Sequence, residues 1–216
     1  MIVVRYADDF VLGFQHRSEA ERFWRDLRER LAKFGLALHP DKTRLIEFGR
    51  FAATNRRQRG QGKPETFNFL GFTHISGQTR KERYTVKRRT IAKRLRAKLR
   101  EIQDTLRRGM HLPLETMAQW LQSVLRGYFN YFAVPGNCQP LTRFRMDVIR
   151  RWFHVLKRRS HKSRVTWDWF GPYASAWLPP PHVQHPYPNV RFHAKYPRQE
   201  PYAGIPPVRI CAGGAG

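Results

Sequence analysis

Apolar positions in the first fifty residues fall in short blocks, and beyond residue 87 they settle into a helical period. Ile2, Val3, Val4 and Tyr6 form one β-rich run and Phe10, Val11, Leu12 and Phe14 a second, which predicts a hairpin carrying the adjacent carboxylates Asp8 and Asp9 at its turn. Ala20, Phe23, Leu27, Leu31 and Phe34 recur at three- and four-residue intervals, so 18–34 is expected to be an amphipathic helix. Ser18 with Glu21 has the spacing of a capping box, and Gly35 supplies a stop. After the turn His39-Pro40-Asp41-Lys42, a further strand is predicted over 43–48. The stretch 49–66 is basic and aperiodic, which reads as a loop, and 67–72 reads as one alternating aromatic strand with Leu70 and Phe72 in the core and Gly71 at a bulge or close approach.

Three helical stripes follow: Ile91, Leu95, Leu99, Ile102 and Leu106; then Leu114, Met117, Leu121, Leu125 and Tyr128; then Leu141, Phe144, Val148, Trp152 and Val155. Such stripes joined by short connections bury one another as a small bundle. From Gly171 proline becomes frequent, so the tail is expected to be extended and unsuited to a helix or a central strand. The pattern is that of an α+β chain: a partial sheet-and-helix unit over 1–86, a helical bundle over 87–165 and a Pro-rich basic tail over 166–216.

Charge narrows the function classes. Among 216 residues, 41 are Lys or Arg and 16 are Asp or Glu, a net charge of +25, which calls for a polyanionic partner. No apolar run is long enough to span a membrane and no signal segment opens the chain, so nucleic acid is favoured over a lipid surface and a cytoplasmic setting is expected. Cys138 and Cys211 have no zinc-type spacing, and His182 and His185 lie in a proline-rich stretch away from other ligands. The basic residues are one-sided: 80–108 holds thirteen Lys or Arg against three acids, and 143–164 holds nine against one. Such faces repel themselves unless an anion meets them, which makes Arg88, Arg94, Arg96 and Lys98 candidate phosphate contacts. On the residues alone, Asp8-Asp9 is equally a solvated turn, and Lys42 equally a solvated lysine.

Val4-Arg5-Tyr6-Ala7-Asp8-Asp9-Phe10-Val11-Leu12 resembles the Tyr-Ala-Asp-Asp hairpin in the palm of reverse transcriptases, specifically group II intron-encoded reverse transcriptase/maturase proteins. Phe34-Gly35-Leu36 with His39-Pro40-Asp41-Lys42-Thr43 is similar to that family's next block, and Phe69-Leu70-Gly71-Phe72 to its primer-grip region. Met117 to Asn137, with Gly127-Tyr128-Phe129-Asn130-Tyr131-Phe132 and Pro135-Gly136-Asn137, resembles the thumb or maturase X domain. The resemblance implies RNA-directed DNA polymerisation with Asp8 and Asp9 as catalytic ligands of Mg²⁺ in a two-metal site. It also implies that Tyr6, Ala7, Lys42, Leu70 and Gly71 lie near nucleic acid. Template RNA, a DNA primer and the intron RNA are the implied partners. The family's fingers and early palm, with a third metal-binding Asp, lie upstream of this motif and only five residues precede Tyr6 here. The expectation is a fragment whose metal site needs an Asp absent from this chain, either a truncated gene product or one piece that works with a separately made N-terminal half, or else a non-enzymatic splicing factor that binds RNA through the bundle.

Overall fold

A computed structural model describes residues 1–79, 83–159 and 164–187, together with the backbone of 209–213. The chain is mixed α+β with antiparallel sheets and six helices, in two compact units. The first unit comprises 1–87 with the C-terminal strand, and the second lies within 88–198.

In the first unit, β1 (Ile2–Tyr6) and β2 (Asp9–Phe14) form the hairpin that the pattern predicts. Helix α1 (Arg17–Ala32) follows, then β3 (Arg44–Glu47), helix α2 (Ala52–Gln58), β4 (Thr66–Phe69), β5 (Phe72–Gln78) and β6 (Tyr84–Thr90), of which 88–90 belong to the second unit. Successive side chains on β2 point to opposite faces, and both faces are covered. Leu12 and Phe14 pack with Ala20 and Phe23 of α1, whereas Val11 packs with Ile46, Phe48 and Phe67. Helix α1 is capped differently from expectation. His16 is its N-cap and makes no side-chain cap bond, so Ser18 lies inside the first turn, where Arg17 pairs with Glu21 instead. Gly35 does end it, at φ 69°, while Leu36 N–H donates to Leu31 O at 3.0 Å.

Three expectations in this unit are corrected. The loop 49–66 contains α2, which is short and lacks a helical stripe but is fixed by buried Ala52 and by Asn55 and Arg59, both bonded to Glu47. Residues 67–72 are not one strand: β4 and β5 form a hairpin around Leu70-Gly71, with Phe69 opposite Phe72. Residues 87–90 belong to β6 rather than to the first long helix.

The C-terminal strand β7 (Arg209–Gly213) is the other correction. It lies between β2 and β3, giving the order β1-β2-β7-β3, and is antiparallel to both neighbours. The tail's prolines end at Pro207, so every residue of this strand has an N–H to donate to the ladder.

The second unit is built on α3 (Ala92–Arg108), α4 (Leu114–Phe132), α5 (Cys138–Lys157) and α6 (Trp167–Trp177). The three predicted stripes do form its core: Leu99, Ile102 and Leu106; Met117, Leu121 and Leu125; Leu141, Phe144, Val148, Trp152 and Val155 are all buried. Each fully buried aliphatic side chain contributes about 1.5–3 kcal/mol. Helix α6 contradicts the expectation of an extended tail. Pro172 has no N–H to donate within it, yet Phe170 and Ala174 are fully buried, and Arg145 donates to Leu178 O at 2.8 Å and Ser175 O at 3.3 Å at its C-terminal end. The chain then runs back along α4, where Gln184 N–H donates to Ala133 O at 3.0 Å. Among the described residues no helix is long and apolar enough to cross a membrane.

Candidate functional site

The hairpin of β1 and β2 closes through two residues, Ala7 and Asp8, with Tyr6 paired to Asp9. Two-residue hairpins need positive φ in the turn, and Ala7 takes φ 52°. A side chain there crowds the backbone at a cost of about 1–2 kcal/mol. Arg5 Nε donates to Ala7 O at 2.8 Å and holds the turn from the β1 side. Asp8 therefore occupies the turn and Asp9 the first position of β2. Both are exposed, and neither makes an ion pair among the described residues.

Leu70 and Gly71 form a second two-residue turn, with φ 47° and 78°. Positive φ at both central residues is the type I′ pattern, for which Asn-Gly is favoured. Leu70 and Ala7 are the positive-φ non-glycine residues among those described, and each sits at the tip of a hairpin that sequence resemblance singles out. Strain of this kind is stored where the surrounding structure imposes it, most often near functional sites. Neither could be found from propensity, because Ala and Leu disfavour that backbone region.

Lys42 is exposed in the turn before β3. The registers place Val11, Ala212 and Arg44 side by side, so Asp9 and Lys42, each two residues earlier, share one end of the sheet. Val11 and Arg44 themselves stand two strand spacings apart, about 10 Å. The loop arginines are less free than their sequence suggests. Arg56 donates to Gly62 O at 3.2 Å and pairs with Glu65 at 3.3 Å, and Arg59 pairs with Glu47.

Residues 1–74 match the family model of reverse transcriptase (RNA-dependent DNA polymerase). The match supports a reverse transcriptase family member. It covers both hairpin turns and Lys42, and 74 of the 216 residues. Neither the curated proteins nor the solved structures include a match to the chain.

Reverse transcriptases generally use Mg²⁺, a hard cation that takes carboxylate oxygens and tolerates water and phosphate as its remaining ligands. Asp8 and Asp9 have the right donor chemistry. Among the described residues no group of three or more His, Cys, Asp or Glu is assembled.

The candidate cations of the second unit are dispersed. Arg94 and Lys98 are one helical turn apart on α3, whereas Arg96 lies about 200° round from Arg94, so the three do not form one contact face. Lys98 is paired with Glu101 at 2.7 Å, and Arg88 belongs to β6. A stronger basic surface lies between α3 and α5, a cleft of about 880 Å³ lined by Arg107, Arg150, Arg151, His154 and Arg158, with Asp147. Arg151 is held by Gln103, and Arg150 contacts Asp147 at 3.6 Å. The one-sided charge of α5 signalled this surface, but which positions face α3 depends on helix packing. Of the tail residues with nucleic-acid-binding chemistry, Arg191, Tyr196 and Arg198 lie outside the described residues.

Proposed function

We propose that this chain is part of an RNA-directed DNA polymerase of the group II intron reverse transcriptase/maturase kind, working on an RNA template and a DNA primer. The observation that carries this reading is the two-residue hairpin presenting Asp8 and Asp9 to solvent within the segment matched to the reverse transcriptase family. In the reaction, the primer 3′-hydroxyl attacks the α-phosphate of a nucleotide, the new phosphodiester bond forms and pyrophosphate leaves. Asp8 and Asp9 would hold Mg²⁺, which when bound neutralises the charge that develops on the phosphate. Tyr6 and Ala7 shape the turn that carries the acids. Lys42 places a cation at the same sheet end, where it would meet nucleotide or template phosphate. Leu70-Gly71 presents a tight turn against which a primer backbone could rest.

Two carboxylates alone hold divalent metal weakly, so the test supplies an N-terminal half carrying the fingers and early palm that the family resemblance implies. The test is primer extension on an RNA template with Mg²⁺, using the full chain with and without such an N-terminal half. Extension only with both, abolished by Asp8→Ala, is the expected result. Absence of extension in every combination overturns it.

A second reading is a non-enzymatic intron RNA-binding splicing factor, favoured by the basic cleft between α3 and α5. It expects Asp8→Ala with Asp9→Ala to leave RNA affinity and splicing assistance unchanged, and charge reversal in the bundle to weaken both more at low salt than at high.

A further inference from the structure

The four-stranded sheet of the first unit is interrupted in chain order. Strands β2 and β3 are both antiparallel to β7, so they run parallel to each other, and the chain passes from one to the other through α1. Parallel strands need such a crossover, and this one skips a strand position, as in a split βαβ unit. Between β2 and β3 lies a slot one strand wide, walled by two rows of backbone N–H and C=O groups. A row of this kind recruits an extended segment wherever it is left unpaired.

The walls are tied together by packing above and below the slot. On one face, Leu45 of β3 packs against the cluster of Leu12, Phe14 and Ala20, which joins β2 to α1. On the other, Ile46 of β3 shares a cluster with Val11 of β2, Phe48 and Phe67. Neither cluster draws on β7, so the slot stands without its strand. The strand that fills it is weak by composition: Arg209-Ile210-Cys211-Ala212-Gly213 has one β-branched residue and ends in Ala-Gly, both depleted in strands. It is also remote, since β3 ends at Glu47 and β7 begins at Arg209. A standing slot with a weak filler on a long connection has the two parts of a strand-addition site, in which main-chain hydrogen bonds supply the affinity.

We propose that β2 and β3 form an acceptor slot for an extended peptide and that Arg209–Gly213 is an autoinhibitory strand bound in it, which keeps segments of other polypeptides out. The segment the slot takes is five residues long, antiparallel to both walls and free of proline, as β7 is. This goes beyond the nucleic-acid reading above and does not depend on it.

The experiment measures uptake of a fluorescent peptide with the sequence of residues 207–213 by the full chain, read as anisotropy. Ile210 stands between Gly13 and Ile46 in the register, so Ile210→Pro removes an N–H from the ladder and releases β7. A tethered strand acts at an effective concentration of about 1 mM, so for a peptide of about 10 µM affinity the wild type should bind about 100-fold more weakly than Ile210→Pro. A peptide with proline at the Ile210 position should not bind either chain. Equal affinity for wild type and Ile210→Pro, or equal binding of the two peptides, would overturn the proposal. Hydrogen exchange on the wild-type chain provides a reading that needs no variant to fold. The amides of 209–213 and those facing them on β2 and β3 should open together while α1 stays protected. If α1 opens in the same step, the slot does not stand without its strand and the proposal fails. Neither readout involves polymerisation, so a failure of primer extension and a failure of this site are distinguished.

Discussion

Asn137 offers the sharpest test of how the second unit is held together. Its side chain is fully buried and makes three hydrogen bonds. Oδ1 accepts from Thr90 N–H at 3.0 Å, and Nδ2 donates to Thr90 Oγ1 at 2.8 Å and to Phe132 O at 2.8 Å. It thereby ties Thr90, the last residue of β6 and 47 positions away in sequence, to Phe132 at the end of α4. In Asn137→Ala, Phe132 O keeps its bond from Val134 N–H at 2.8 Å, and the Thr90 hydroxyl can rotate, but Thr90 N–H is stranded in the interior. Three lost bonds at about 1 kcal/mol each, one of them leaving a buried donor unpaired, give a loss of about 3–4 kcal/mol. Urea unfolding followed by tryptophan fluorescence reads this directly, because five of the six tryptophans, Trp120, Trp152, Trp167, Trp169 and Trp177, lie in this unit. Asn137→Asp adds a signature that packing alone would not produce. Its carboxylate faces the Phe132 carbonyl, so the folded state raises its pKa above the ordinary value of about 3.9 and favours the protonated form. The variant should be closest to wild type near pH 4 and lose stability as pH rises through that folded pKa. A loss below about 0.5 kcal/mol for Asn137→Ala, or no pH dependence for Asn137→Asp, would refute the clamp, since surface substitutions commonly give effects that small.

Tyr128 and Leu70 give two further predictions. The Tyr128 hydroxyl is buried with no hydrogen-bond partner among the described residues, and burial pushes its pKa up to about 12. Tyr128→Phe should therefore raise stability by about 1 kcal/mol, measured as a shift in urea midpoint at unchanged slope. Because the folded pKa lies above the unfolded value of about 10, wild type should lose stability between roughly pH 10 and 12 and the variant should not share that component. Leu70→Asn replaces a branched residue at φ 47° with one that accepts this backbone, so the thermal midpoint should rise by the equivalent of about 1 kcal/mol. A lower midpoint would show that the half-buried Leu70 side chain packs more favourably than its backbone is strained.

Much of the architecture was legible because burial follows period. The alternation of Phe10, Val11, Leu12 and Phe14 is what lets β2 serve two cores, and the four-residue recurrence through Leu121 and Leu125 or Phe144 and Val148 is what a bundle stripe requires. The acidic hairpin was legible for the same reason: two β-rich runs separated by polar residues have few other ways to fold. The misreadings have one cause. For residues 67–72, α2 and α6 local propensity misleads, because each is decided by a partner outside its own run: His74 and Ile75 of β5 pairing back to Phe67 and Thr66, Glu47 holding Asn55 and Arg59, and Arg145 closing the end of α6.

The candidate sites divide along the same line. Residue type and spacing alone determined that Asp8 and Asp9 share a tip and that the helices carry one-sided basic runs, from which a polyanionic partner is the expectation. Tertiary structure decided that Lys42 shares the sheet end of those acids, because strand order is set by pairing over long separations rather than by neighbours in the chain. It also decided that Arg107 and Arg158 line one cleft while Arg94 and Arg96 face different ways, and that α6 buries Phe170 while Trp167 and Trp169 stay exposed. A sequence records which side chains can bury or bind; which of them meet depends on helix rotation and packing, energies that exist only once the segments are in contact.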